Sequence, residues 1–482
     1  MNTRSLLLSA AAALAVAAAL AGCGGTTYFA GRNLPPSGLT NRVMIAIQNP
    51  SAANKGALSF VDAYYDIRGG ASGKPASYSI SGYSGALPVT IQNMPEEQLG
   101  AVYGSGDGSL ASVSYAKENV SGSATGLNGL SSSIFMTRNQ NYAFAASQGS
   151  HVLTVVDHVA GSSYPLGLPG VYRVSVNPGG SVALAFVENS NYLYYTLKLS
   201  TAQTTTYSGG PTTWPLGAVD CEPQNAPGWC LLQALDPSST AGNLKPLTFD
   251  RPVKAVFSTD GGTAYILNCG PECGGTTASI SQLPIAPMIF LIGQGSGTLP
   301  TSAALAASTL PIPGGASNAL VDSSTMYVVG QQPQQVNGQT LFAGNLTVVN
   351  LANNTAGNAI SISDGAPGAV SRMVEADNNT LWIGMTKCNN GVRAATNQPY
   401  GCLTMFNTST DTVTMLEPYL GDATGIAAVT GLNKIYTAEG GQVYIYTTTD
   451  GIALDNQYVT VTGTAYDVAY MDAASDADNT VY

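Results

Sequence analysis

The chain has 482 residues, with 17 Lys and Arg against 28 Asp and Glu, a net charge of −11. So few cations leave no basic stripe to neutralise phosphates, which excludes a nucleic-acid partner and attraction to anionic headgroups. Charged residues are only 9% and glycines number 55, yet 44% hydrophobic residues argue for a packed all-β body rich in turns over a disordered chain.

The N-terminus opens with Arg4 and an apolar run from Leu6 to Leu20, closing on Leu20-Ala21-Gly22-Cys23. A run of 15 residues is short of the roughly 20 needed to cross a bilayer core, and no stop-transfer pattern follows. A charged start, a short apolar stretch and small residues before a cleavage point make a secretory signal. With cysteine at that point, the segment resembles the lipobox of bacterial lipoproteins. The resemblance implies removal of residues 1–22 and lipidation of Cys23. Because Gly24 and not Asp follows, it also implies an outer-membrane place in the cell envelope. Residues 23–40 then read as a flexible tether with a reach of roughly 20–25 Å.

From residue 41 onward the chain repeats. Leu58–Asp62, Leu153–Asp157, Leu346–Asn350, Leu403–Asn407 and Val443–Thr447 align without gaps as strands, each ending in Asp, Asn or Thr. Such an ending side chain can bond its own following backbone and start a turn. Upstream lies a second recurring strand (Val43–Gln48, Tyr142–Ser147, Thr263–Asn268, Met326–Gly330, Leu381–Thr386, Lys434–Ala438). A third often precedes it, as in Tyr172–Asn177 and Val253–Ser258, and a fourth often follows, as in Thr412–Leu416. Helical periodicity is scarce. Four short antiparallel strands, A to D, recurring every 40 to 60 residues or so read as propeller blades.

The pairing of Met326-Tyr-Val-Val329 with Leu346-Thr-Val-Val-Asn350 resembles the YVTN family of β-propeller repeats, a motif that implies a blade and no particular activity. Seven or eight blades are expected, the unit at Pro88–Asn119 being the least marked. Ala465–Asp472 looks like an A strand without successors, and the first repeat lacks an A strand. Joining the N- and C-terminal segments in one blade would close the ring and remove its edges. A sandwich pair would need a central linker, and a β-helix would repeat near 20 residues. The long non-repeating stretch at about 201–249 has repeats on both sides, with Thr204–Ser208 expected to form a D strand.

Setting Cys23 aside for lipid, six cysteines remain: Cys221, Cys230, Cys269, Cys273, Cys388 and Cys402. They allow 15 connectivities, of which pairing between sequence neighbours is the simplest, worth roughly 2–3 kcal/mol each. A zinc site would need further ligands nearby, and His151 and His158, the two histidines, are distant in sequence. No metal or cofactor is expected.

Catalytic constellations are scarce. His151 and His158 bracket one strand and read as surface residues, Gly104–Gly108 reads as a hairpin turn, and Asp472, Asp476 and Asp478 as a solvated turn instead of a calcium loop. The resemblance to propeller lactonases would call for ligands around the central channel, and Arg173, Arg251, Arg372 and Arg393 look scattered. The B–C loops at Asn49–Gly56, Cys269–Thr277, Gln331–Gly344 and Lys387–Gly401 are long. With the 201–249 insert they would gather all six cysteines on one face, together with Trp214, Asp220, Glu222, Trp229, Arg393 and Tyr400 as a binding face for a protein or glycan partner. The expected function is a lipid-anchored envelope binding or scaffold module; the alternative is a periplasmic hydrolase or lactonase.

Overall fold

The computed structural model describes residues 32–475 except 33, 54, 66–76, 125–126, 128–129, 223–227, 237, 239–241, 286–306, 337, 364–368, 388–402 and 417–419. Cys23, Cys388, Arg393, Tyr400, Cys402, Asp476 and Asp478 lie outside the described residues.

Eight antiparallel sheets follow one another along the chain. Blades 2, 3 and 5 to 8 each take four successive strands, with inner A strands Pro88–Met94, Ser133–Met136, Pro252–Phe257, Asn318–Asp322, Ala369–Ala376 and Ala423–Val429. The weakly marked unit at Pro88–Asn119 is therefore a full blade, which fixes the number at eight. Blade 1 is split: the C-terminal strand Thr464–Tyr470 is its A strand, paired with the N-terminal strand Arg42–Gln48. The fold is a closed all-β propeller.

Closure is fastened by charge as well as by strand pairing. Arg42 is 2% exposed and donates through Nε and Nη2 to the Asp472 carboxylate at 3.0 and 2.6 Å. Its Nη1 reaches Glu118 at 2.8 Å, tying blade 1 to blade 2. Asp472 is thus buried in an ion pair, not part of a solvated turn. A buried arginine needs this density of acceptors to offset its lost hydration.

The body of each blade is β-branched and aromatic, so its two faces pack against neighbouring blades. Val43, Ile45, Tyr436, Ile445 and Val468, for example, form one buried cluster between blades 8 and 1. The residues ending C strands start turns as expected. Asp62 accepts from Tyr64 N at 2.9 Å, Asp157 from Ala160 N at 2.9 Å, and Asn407 from Ser409 N at 3.0 Å.

Blade 4 departs from the expectation. Thr201–Tyr207 is a short helix, α1, and not a D strand. The D position beside the C strand Leu193–Lys198 is taken by Trp229–Gln233, with Ala218–Glu222 as a fifth, outermost strand. Trp229 and the leucines after it have the large apolar surface needed to cover the blade, which the threonine-rich segment lacks. A second difference is at Gln331–Gly344. This segment is not a loop: strands Thr325–Val336 and Gln339–Asn350 continue in register almost to their turn, as a projecting hairpin.

Candidate functional site

The A strands surround the axis of the ring and line a cavity of 460 Å³. A register break defines its chemistry. In six blades the A strand carries a β-bulge near its start, each leaving one residue unpaired: Tyr466, Val89, Tyr172, Val253, Ser371 and Thr424. A bulge re-aims the side chains around it. The residue following it is Asp467, Thr90, Arg173, Lys254, Arg372 or Gly425. The four charged ones all line the cavity.

These positions are near the start of each A strand, so the charges gather at the end of the channel that carries B–C loops and D–A connections. From that end comes a fifth charge. The turn Gly270–Cys273 follows the B strand of blade 5 and is closed by the Cys269–Cys273 disulfide, carrying Glu272 to the cavity wall. Gly270 has φ +66°, and a Cβ there would fall 2.3 Å from Ala278 N, so the turn requires glycine. Glu272 Oε2 accepts from Gln331 N at 3.0 Å, anchoring it at the base of the projecting hairpin.

The charges are unequally matched. Arg372 Nη2 pairs with Asp467 Oδ2 at 2.9 Å, and Asp467, 2% exposed, also accepts from Ile91 N and Val468 N. Gly425 gives Asp467 its space, since a Cβ at 425 would lie 2.5 Å from Asp467 Oδ1. The pairing with Asp467 holds the Arg372 pKa above its ordinary value. Lys254 Nζ donates to Asn318 Oδ1 at 2.7 Å and has no ion pair among the described residues. Burial first, then the nearby Arg173 and Arg372 charges, push its pKa down to about 7. Arg173 Nη1 donates to the carbonyl of Val253, the residue before Lys254, at 3.2 Å. Burial raises the Glu272 carboxyl above its usual range.

Hydroxyls and amides fasten the wall between blades. Ser175 Oγ accepts from Ala255 N at 3.1 Å, Ser133 Oγ from Val174 N at 3.2 Å, and Gln92 bonds both the N–H and the carbonyl of Met136. The charged groups therefore stand on a braced frame.

The arginines that look scattered in sequence are partly convergent: Arg173 and Arg372 share the channel, whereas Arg251 lies outside it, bonded to the Asn189 carbonyl. Lys254, Asp467 and Glu272 were missed. The available signal was positional, a charge between neighbours otherwise suited to a strand in Tyr172-Arg173-Val174, Val253-Lys254-Ala255, Ser371-Arg372-Met373 and Tyr466-Asp467-Val468.

The expected binding-face residues lie elsewhere. Trp229 is 2% exposed, edge-on to Tyr142 and Phe144 between blades 3 and 4. Trp214 packs on the core shared by blades 4 and 5, Asp220 accepts from Gly167 N of blade 3 at 2.5 Å, and Glu222 is half-buried. All four belong to the outer edge of blade 4. The Cys221–Cys230 disulfide joins the two outermost strands there, near the end where the C strand finishes, while Cys269–Cys273 is in a B–C loop at the opposite end. The described pairs do not share a face, because the chain of the insert runs back along the blade before forming its D strand. His151 and His158 are exposed. No group of three or more potential metal-ligating residues occurs among the described residues.

No protein-family model and no curated protein matches the chain. Solved structures similar to it include apo AztD from Citrobacter koseri (10% identity, 89% of this chain and 98% of that one, TM-score 0.48). The periplasmic gluconolactonase PpgL of Pseudomonas aeruginosa has 13% identity over 89% and 98%, TM-score 0.40. The Cps50 (Swd1) β-propeller domain from Myceliophteria thermophila has 11% identity over 76% and 98%, TM-score 0.45. At such identities the likeness is one of fold alone, and the eight-bladed ring rests on this chain's own strand pairing.

Proposed function

We propose that this protein is a lipid-anchored binding module of the cell envelope, holding its ligand at the B–C-loop end of the axial channel. The observation that carries the reading is the ring of post-bulge charges on a braced wall, with Lys254 lacking an acidic partner. A rigid polar cavity of this size is the usual form of a small-molecule site. The lipobox-like Leu20–Cys23, the YVTN-like repeats and the two disulfides, which suit an oxidising compartment, support the envelope placement. A protein or glycan partner would meet the same rim, flanked by the projecting hairpin. The test has two parts. The Cys23→Ala protein should leave the membrane fraction, and protein purified intact should release a small molecule on denaturation that Lys254→Met protein does not carry. Tight membrane association of Cys23→Ala, or identical contents in both preparations, would count against it.

One observation favours hydrolysis as a second reading. A lysine with a pKa of about 7 can accept a proton at neutral pH. Steady ring-opening of lactones, lost in Lys254→Met, would select that reading.

A further inference from the structure

We infer that the channel takes a small organic monoanion, its carboxylate seated between the Lys254 ammonium and the Arg173 guanidinium. This rests on the channel being the ligand site. Among the described residues, with Lys254 protonated, three cations on the cavity wall face two carboxylates, leaving one surplus positive charge in a protein whose net charge is −11. That surplus can be localised. Arg372 and Asp467 satisfy each other at 2.9 Å, while Glu272, held by Gln331 N, is balanced electrostatically by Arg173 without an ion-pair contact. The surplus is therefore the Lys254 charge, with one of its three N–H donors on Asn318; Arg173, with one donor on the Val253 carbonyl, stands beside it.

Arg173 is therefore held against the residue next to Lys254, and both project from post-bulge positions of adjacent blades. A planar carboxylate suits this arrangement because it accepts two N–H bonds from a guanidinium fork and still offers lone pairs to an ammonium. One negative charge cancels the surplus. A dianion would leave the cavity net negative beside Asp467 and Glu272, at a cost that a poorly solvated site makes large. The rest of the wall calls for an organic body, since Phe135, Phe257 and Val174 offer apolar contact.

Proton linkage follows. The charges acting on Lys254 are those of Arg173 and Arg372, which disfavour its own, and the carboxylates that share the cavity, Asp467 and Glu272, are already engaged. A bound carboxylate restores the charged form, so binding takes up a proton above neutrality. Affinity should fall about tenfold per pH unit above pH 7.

The test is saturation-transfer NMR on the full chain in detergent, with glycolate as the carboxylate probe, glycerol as the neutral control and sulfate as the dianion. Glycolate should bind saturably, glycerol should not, and sulfate should compete at least tenfold less well. Lys254→Met and Arg173→Met should each weaken glycolate at least tenfold. Lys254→Arg, which keeps the charge in a foldable side chain, should bind with little pH dependence between pH 7 and 9. Melting temperatures show whether each variant folds; if a methionine variant does not, Lys254→Arg and its pH profile decide. Sulfate preference, or glycolate affinity unchanged by substituting either cation, overturns the inference. A neutral molecule released from intact protein and absent from Lys254→Met protein would overturn the carboxylate while leaving the channel as the ligand site. Glycolate bound equally by Lys254→Met, with no retained molecule distinguishing the two proteins, would overturn both.

Discussion

Single residues buried with their charge define how this ring responds to pH. Glu439 is 1% exposed within blade 8, where the Thr437 and Tyr446 hydroxyls donate to it. Burial outweighs those bonds and raises its pKa from 4.5 to about 7. Between those values the folded state holds a proton that the unfolded chain has released, so stability falls as pH rises through that window. The full shift corresponds to about 3 kcal/mol at roughly 1.4 kcal/mol per unit. Glu375 is displaced in the same direction, to about 7, by burial and by Asp322. We therefore expect wild-type stability, from denaturant unfolding, to decline between pH 5 and pH 7. Glu439→Gln should reduce that slope by up to half without abolishing it. An unchanged slope would mean that Glu439 is not protonated in the folded protein. None of this was legible in the sequence, where Lys434–Glu439 reads as an ordinary strand with a polar end.

At the scale of the element, a disulfide and a glycine make one turn into a positioning device. The Cys269–Cys273 bridge and Gly270 fix the short turn that carries Glu272 to the channel. Closing so short a loop is worth roughly 2 kcal/mol in the chain-entropy model. The double substitution Cys269→Ser, Cys273→Ser should lower the melting temperature modestly. Its larger effect should be local: amide exchange at Gln331, whose N–H binds Glu272, should speed up more than exchange in blade 8. Equal acceleration in both places would reduce the bridge to a general staple. Elements of this kind explain what the sequence does and does not disclose. B and C strands are legible because their β-branched runs end in turn-forming Asp or Asn. Bulges leave a fainter mark: a charge set among strand-forming neighbours in Val253-Lys254-Ala255 does not announce that one residue is skipped, so Val253–Ser258 reads as an ordinary strand. The insert misleads for a related reason, since threonine favours strands, yet Thr201–Tyr207 is helical and the D strand begins only at Trp229.

For the whole molecule the decisive contact is closure. The C-terminal strand is hydrogen-bonded to Arg42–Gln48, Asp467 accepts from blade 2 through Ile91 N, and Asp472 holds Arg42. Deleting residues 466–482 should therefore cost far more than trimming a tail. It strips the inner partner from blade 1, removes the mate of Arg372 and takes the Asp472 carboxylate from Arg42. A buried ion pair broken on one side alone typically costs 3–5 kcal/mol. The truncated chain should melt with lost cooperativity and associate through its exposed edges, as read by calorimetry and size-exclusion chromatography. A stable monomer would contradict closure through this strand. This was the part most open to sequence reasoning, because a ring made of repeats must account for an orphan strand at each end.

The post-bulge position recurs around the axis with five residue types over six blades: aspartate, threonine, arginine, lysine, arginine and glycine. Each occupant belongs to its own sheet, whose core packs against neighbouring blades. Selection can thus exchange Thr90, Arg173 or Lys254 one at a time, whereas Asp467, Arg372 and Gly425 are tied by their shared contacts and must change together. Specificity in such a molecule evolves like the rewriting of a short circular word, one letter per blade, and Gly425 shows that a blank is also a letter.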